Sequence, residues 1–158
     1  MVSEFALTGP GGGGSLMGIR NNGSPILYDF FVDCPSKNNI NKEFVNVEVD
    51  FGQTKQAFHV GKGSVAVPGN IMGLLEVHKN HGCLPLSDIL MEAINCANNG
   101  IIISPYQAFI LDLIKPIISF DSNSKNIFYN NNHLLQAGET FKNPAFGDFL
   151  TLLINKGA

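Results

Sequence analysis

Hydrophobic and polar positions divide the chain into short blocks with two different periods. Residues 16–20 alternate, Asn21-Asn22-Gly23 turns, and residues 25–32 return. Two alternating runs around an Asn-Gly signal predict a β-hairpin. Val45, Val47 and Val49 alternate with Asn46, Glu48 and Asp50, which predicts a half-buried strand, with residues 56–60 as its antiparallel partner across Gly52. Ser64-Val65-Ala66-Val67 is small and β-branched and predicts a buried strand, ended by Pro68-Gly69. The period then changes. Ile71, Leu74, Leu75 and His78 recur at helical spacing, and Gly82 is expected to stop that helix in the left-handed region. A second helix opens at Pro85, carries Leu86, Ile89, Leu90, Ala93, Ile94 and Ala97 on one stripe, and ends at Asn98-Asn99-Gly100.

The flanking blocks are shorter. Phe5-Ala6-Leu7-Thr8 reads as a strand and Ile101-Ile102-Ile103 as a brief apolar run. Ser104 caps a helix with Pro105 at its first position, running to about Ile114 before Pro116 breaks it. Residues 36–41 form a polar loop, and residues 121–132 are polar and expected to be irregular. Asn143-Pro144 opens a last helix with Phe146, Phe149, Leu150 and Leu153 on one face. The chain shows no internal repeat and no linker, so residues 1–158 form a single unit. A strand almost at Met1 and a helix ending almost at Ala158 make both ends look cut, so that unit is a partial domain.

Composition narrows the classes of function. At 44% hydrophobic and 15% charged the chain is globular. A net charge of −3 and a single arginine, Arg20, leave no basic face for nucleic acid. No apolar run would span a bilayer, so no membrane partner is expected. The N-terminus lacks the basic region and apolar core of a secretory signal, which taken as written places the chain in the cytoplasm. Cys34, Cys83 and Cys96 are odd in number and far apart, and are expected to be small buried apolar residues.

Candidate chemistry is sparse. Gly9, Gly11 and Gly14 match GxGxxG, with Asp29 downstream, so nucleotide binding by the Gly-rich loop stands as one alternative. A hairpin follows where a helix should begin, and no lysine follows Gly14-Ser15 as a Walker loop requires. The favoured role is structural, with glycines letting another backbone pack close. His59, His78, His81 and His133 have no metal-ligand spacing, and His78 and His81 sit where positive charge suits a helix end. Asp29, Asp33, Glu48 and Asp50 read as solvated carboxylates. Ser15 does not lie in a nucleophile elbow. No catalytic residue, metal site or cofactor is assigned.

Residues 64–100 carry an ordered set of features: Val67-Pro68-Gly69, Gly73-Leu74, His78-Lys79, Gly82, Leu84-Pro85 and Gly100. In this order they closely resemble the large subunit of the γ-glutamyltranspeptidase family, also called γ-glutamyltransferase or glutathione hydrolase. The likeness extends over nearly the whole chain, including the glycine run that leads into a strand. It implies an α+β fold, part of the αββα layered sandwich of N-terminal-nucleophile hydrolases, incomplete at both ends. It also implies a function: hydrolysis of γ-glutamyl amides such as glutathione, or γ-glutamyl transfer to amino acids and peptides. Bacterial members are often periplasmic or secreted, which runs against the cytoplasmic reading.

Two departures from the family pattern matter. Typical members read Asp-Phe-Arg-Glu-Thr-Ala-Pro where this chain has Asp29-Phe30-Phe31-Val32-Asp33-Cys34-Pro35. The resemblance gives that arginine to the substrate α-carboxylate, and Phe31 stands in its place. The family's nucleophile is a threonine opening a separate small subunit, and Thr8, Thr54, Thr140 and Thr151 lack that context. The implied partner is therefore a threonine-bearing small-subunit segment, and the chain alone is expected to be inactive. The alternative is a catalytically inactive remnant or an interaction module.

Overall fold

A computed structural model describes residues 1–19, 23–36 and 43–156. The first hairpin pairs β1 (Gly14–Gly18) with β2 (Ile26–Phe30), antiparallel, with Leu16 opposite Tyr28 and Met17 opposite Leu27. Its turn, with Arg20, Asn21 and Asn22, lies outside the described residues, as does most of the polar loop at 36–41. The second hairpin pairs β3 (Val45–Asp50) with β4 (Lys55–Val60), antiparallel as expected, with Val49 and Val60 buried and Val45 exposed.

Helices α1 (Asn70–His81) and α2 (Leu86–Asn99) follow as the apolar period predicts. Next come β5 (Ile101–Ile102), α3 (Pro105–Leu113), the single turn α4 (Lys115–Ile118) and α5 (Ser122–Phe128). The chain continues through β6 (Tyr129–Asn130), β7 (His133–Leu134), β8 (Thr140–Phe141) and α6 (Pro144–Lys156). β5 pairs with β8 and β6 with β7, all antiparallel. The described residues thus form a mixed α and β structure with four two-stranded sheets.

Local chemistry explains the helix ends. Ser104 Oγ accepts from the Gln107 amide, while Gln107 Oε1 accepts from the Ser104 amide, a reciprocal capping box. Gln107 also donates through Nε2 to the Ser3 carbonyl at 2.6 Å, tying the N-terminal segment to α3. Asn143 Oδ1 caps α6 through the Phe146 amide. The main core gathers Ile103, Leu111, Ile118, Leu134, Leu135 and Phe141. Phe5 stacks on Phe141 with ring centroids 3.9 Å apart, closing this core from the chain's other end.

Five expectations are corrected. Residues 5–8 are not a strand but a helical turn, with the Thr8 amide donating to the Glu4 carbonyl, because Phe5 turns inward to the aromatic cluster. Residues 64–67 are not a buried strand: Val65 and Val67 are exposed, and only Val67 bridges, to Asp33. Gly63 and Ser64 are drawn into a tight turn after β4, and Pro68 has no N–H to extend the ladder. Residues 121–132 are not irregular. Asp121 caps α5 through the Ser124 amide, and Asn131 and Asn132, both at positive φ (46° and 66°), make the tight turn between β6 and β7.

Gly82 does not enter the left-handed region. Its φ is −66°, and it is small because a Cβ there would collide with His78. The cysteines are not buried: Cys34 and Cys83 are exposed and Cys96 is half-buried. Each lies at or near an element end or on an outward helix position, where apolar character does not secure burial.

Two stability outcomes follow from this packing. Gly69→Ala places a methyl on the Phe30 carbonyl and is expected to cost about 1–3 kcal/mol, as overpacking does. Gly11→Ala meets no atom within 4 Å and is expected to be neutral or to stabilise by about 0.4–1 kcal/mol. Urea unfolding of the two variants side by side checks the contrast; equal effects would refute it. Ser104→Ala breaks the capping box and is expected to cost about 1 kcal/mol by the same measurement.

Candidate functional site

Three pieces of backbone meet at one junction: the Gly-rich loop before β1, the end of β2, and the start of α1. The Gly12 carbonyl accepts from both the Gly69 amide (3.1 Å) and the Asn70 amide (3.0 Å), satisfying two donors that a helix start leaves open. A Cβ at Gly13 would lie 2.6 Å from the Phe31 carbonyl carbon and 2.8 Å from its Cα. A Cβ at Gly69 would overlap the Phe30 carbonyl, and one at Gly73 the Phe30 side chain. Only glycine at these positions lets β2 lie this close to the loop and the helix.

This junction fixes where residue 31 is presented. Phe30 is held inward over α1, while Phe31 is 71% exposed. The Phe31 amide donates to Asp29 Oδ1 at 3.1 Å, and the Cys34 amide to Asp33 Oδ1 at 2.7 Å. A clamped backbone therefore carries an outward phenyl ring with carboxylates on either side of it in sequence. Neither the ring nor these neighbours can supply a positive charge to an anionic group.

β2 is held to α1 a second time. Tyr28 Oη and His81 Nε2 lie 2.7 Å apart, half-buried, with the rings edge to face. His78 Nε2 donates to the Leu84 carbonyl at 2.9 Å. Both histidines do sit in the last turn of α1, with Lys79, as expected. The other face of the hairpin is bare: Met17 and Leu27 form an exposed cross-strand pair beside exposed Ser15 and Asp29.

The remaining candidates do not converge on this junction. His59 stacks on Phe44 on the second hairpin. Glu48 pairs with Lys55 at 3.0 Å, and Asp50 caps the adjacent turn at Gly52. His133 Nε2 contacts Glu139 at 2.9 Å; the Gln136 amide first and His133 second hold the Glu139 carboxyl below its ordinary range. Burial, and then the Glu92 carboxylate, push the Cys96 thiol up, away from nucleophilic use. Among the described residues, no three His, Cys, Asp or Glu side chains gather as a metal site. The glycine loop meets the nearest helix start with a carbonyl, where a pyrophosphate would need free amides.

The sequence reading singled out Phe31, the Gly-rich loop and Pro68-Gly69 separately. It missed that they form one junction, and it missed Asn70, whose Nδ2 donates to the Gly9 carbonyl at 2.9 Å. The only available signal was glycine density in two distant stretches, which does not say that they touch. No helix among the described residues is long and apolar enough to cross a membrane.

Comparison with known proteins gives these features a family. The capsule biosynthesis protein CapD proenzyme of Bacillus anthracis is 33% identical over 111 residues, covering 70% of this chain and 21% of that protein. Glutathione hydrolase 2 of Arabidopsis thaliana is 28% identical over 156 residues, covering 99% of this chain and 26% of that protein. The crystal structure of Helicobacter pylori gamma-glutamyltranspeptidase superposes with a TM-score of 0.79 at 28% identity, over 99% of this chain and 44% of that one. The chain thus spans about a quarter or less of the length of these two curated relatives. The model of the gamma-glutamyltranspeptidase family matches residues 1–158, and the chain belongs to that family.

Proposed function

We propose that this chain is a large-subunit segment of a γ-glutamyltransferase-like enzyme. The enzyme hydrolyses γ-glutamyl amides such as glutathione, or passes the γ-glutamyl group to an amino acid or peptide. The family match over the whole of residues 1–158 carries this reading. The attacking threonine comes from a small-subunit segment, in keeping with the word proenzyme in the name of the CapD relative. Two threonines of this chain have hydroxyls committed to local backbone: Thr8 Oγ1 donates to the Glu4 carbonyl and Thr151 Oγ1 to the Gly147 carbonyl.

The segment supplies scaffold and one wall of the acyl cleft. A hairpin with apolar side chains on both faces needs a layer on each. α1 covers one face, and the bare Met17–Leu27 face is where the second sheet of an αββα sandwich stacks. At the end of that hairpin, Phe31 takes the position of the family's carboxylate-binding arginine. A phenyl ring there favours an acyl group without a free α-carboxylate.

Two outcomes test the proposal. The purified chain alone is expected to release no anilide from a chromogenic γ-glutamyl anilide; turnover that survives replacement of every threonine would refute the role given to the missing nucleophile. In an active assembly carrying this segment, Phe31→Arg is expected to strengthen binding of γ-glutamyl donors by about 2 kcal/mol or more, the low end for a charge-assisted pair. Inhibition titrations with glutathione measure this. Family-like affinity in the unmodified assembly, unchanged by the substitution, would remove Phe31 from the acyl site.

A further inference from the structure

We propose that Asn70 is a positioning residue for side chain 31. Its carboxamide holds the Gly-rich loop closed against the end of β2, and so fixes the direction in which residue 31 is presented. The functional weight of this inference rests on the reading of Phe31 as an acyl-site contact.

Asn70 is the first residue of α1 and is half-buried. Its backbone amide donates to the Gly12 carbonyl and its side-chain Nδ2 to the Gly9 carbonyl, at 3.0 and 2.9 Å. A Cβ at Gly12 would stand 3.3 Å from Nδ2, and one at Gly14 would stand 3.5 Å from Oδ1. The carboxamide therefore lies along the loop, bonded to it at Gly9 and facing Gly12 and Gly14. Gly13, the residue pressed on the backbone of residues 31 and 32, lies between those contacts.

Helix initiation does not require this side chain. The Gly12 carbonyl already satisfies the first amides, and a first-turn position unconstrained by tertiary contact favours a carboxylate. The Gly9 carbonyl accepts from the Gly12 amide at 3.2 Å, and the Asn70 carboxamide adds a second donor from α1, which asparagine has and aspartate lacks. The position therefore serves the loop rather than the helix.

The chain contains no tryptophan, so Phe31→Trp installs a sole tryptophan, excited selectively over the three tyrosines, at an exposed position. In that background Asn70→Asp keeps the side-chain shape, removes the donor and suits the helix dipole. The expected result is that fluorescence anisotropy at position 31 falls by about a third as nanosecond motion is released, while the thermal midpoint holds. A second measurement needs no reporter: in the otherwise unmodified chain, Asn70→Asp is expected to speed hydrogen exchange of the amides at positions 69 and 70 about tenfold. Unchanged anisotropy and unchanged exchange would overturn the proposal. So would a loss seen only in Asn70→Ala together with a lowered midpoint, which would show a packing role. Neither readout involves substrate, so their failure leaves the Phe31 reading standing, and the failure of Phe31→Arg leaves this result standing.

Discussion

Close backbone contact at glycine is the constraint on which this structure depends. Gly13 and Gly69 press from two sides on residues 30–32, and Gly73 leaves room for the Phe30 side chain over α1. The Gly13 and Gly69 contacts are between main chains, so they offer no flexible atom that could move aside. This joins the first hairpin, the Gly-rich loop and α1 into one closely packed unit. The Asp33–Val67 bridge continues that unit by one more pair. Everything presented from the end of β2 inherits its geometry from this unit.

Much of the fold was legible because the chain marks its helices twice, by period and by cap. Ser104 with Pro105, Asn143 with Pro144, and Asn99 before Gly100 punctuate runs whose apolar spacing already indicates helix. The Val45–Val49 alternation was equally direct. The failures share a physical cause. α5 is short and polar, so no apolar period marks it, and only the Asp121 cap betrays it. Val65 and Val67 have strand composition, but among the described residues their pairing is limited to the single Val67–Asp33 bridge. Burial of a cysteine depends on where the fold leaves it, and two of the three fall outside the helices and strands.

The candidate site was legible in a different way. Composition and spacing did not find it; the family resemblance placed attention on Phe31, and the geometry then showed how that residue is held. The clamp itself is tertiary. Glycines at 12–14 and at 69–73 could each be seen in the sequence, but their meeting depends on the hairpin folding back between them. Asn70 looked like an ordinary polar residue at a helix start, since its bond to Gly9 spans most of the first half of the chain.

The stacking of Phe5 on Phe141 bears on how the molecule comes into being. That contact joins residues near opposite ends of the chain, and both rings also meet Phe128. Its high sequence separation raises the contact order, because the entropy of closing so long a loop must be met before the cluster gives any return. During vectorial synthesis the first hairpin and α1 can assemble early from neighbouring residues. The aromatic cluster must wait until β8 has emerged. Until then Phe5 is an apolar ring without Phe141, so the segment around Phe5 settles only after the far later β8 has been made.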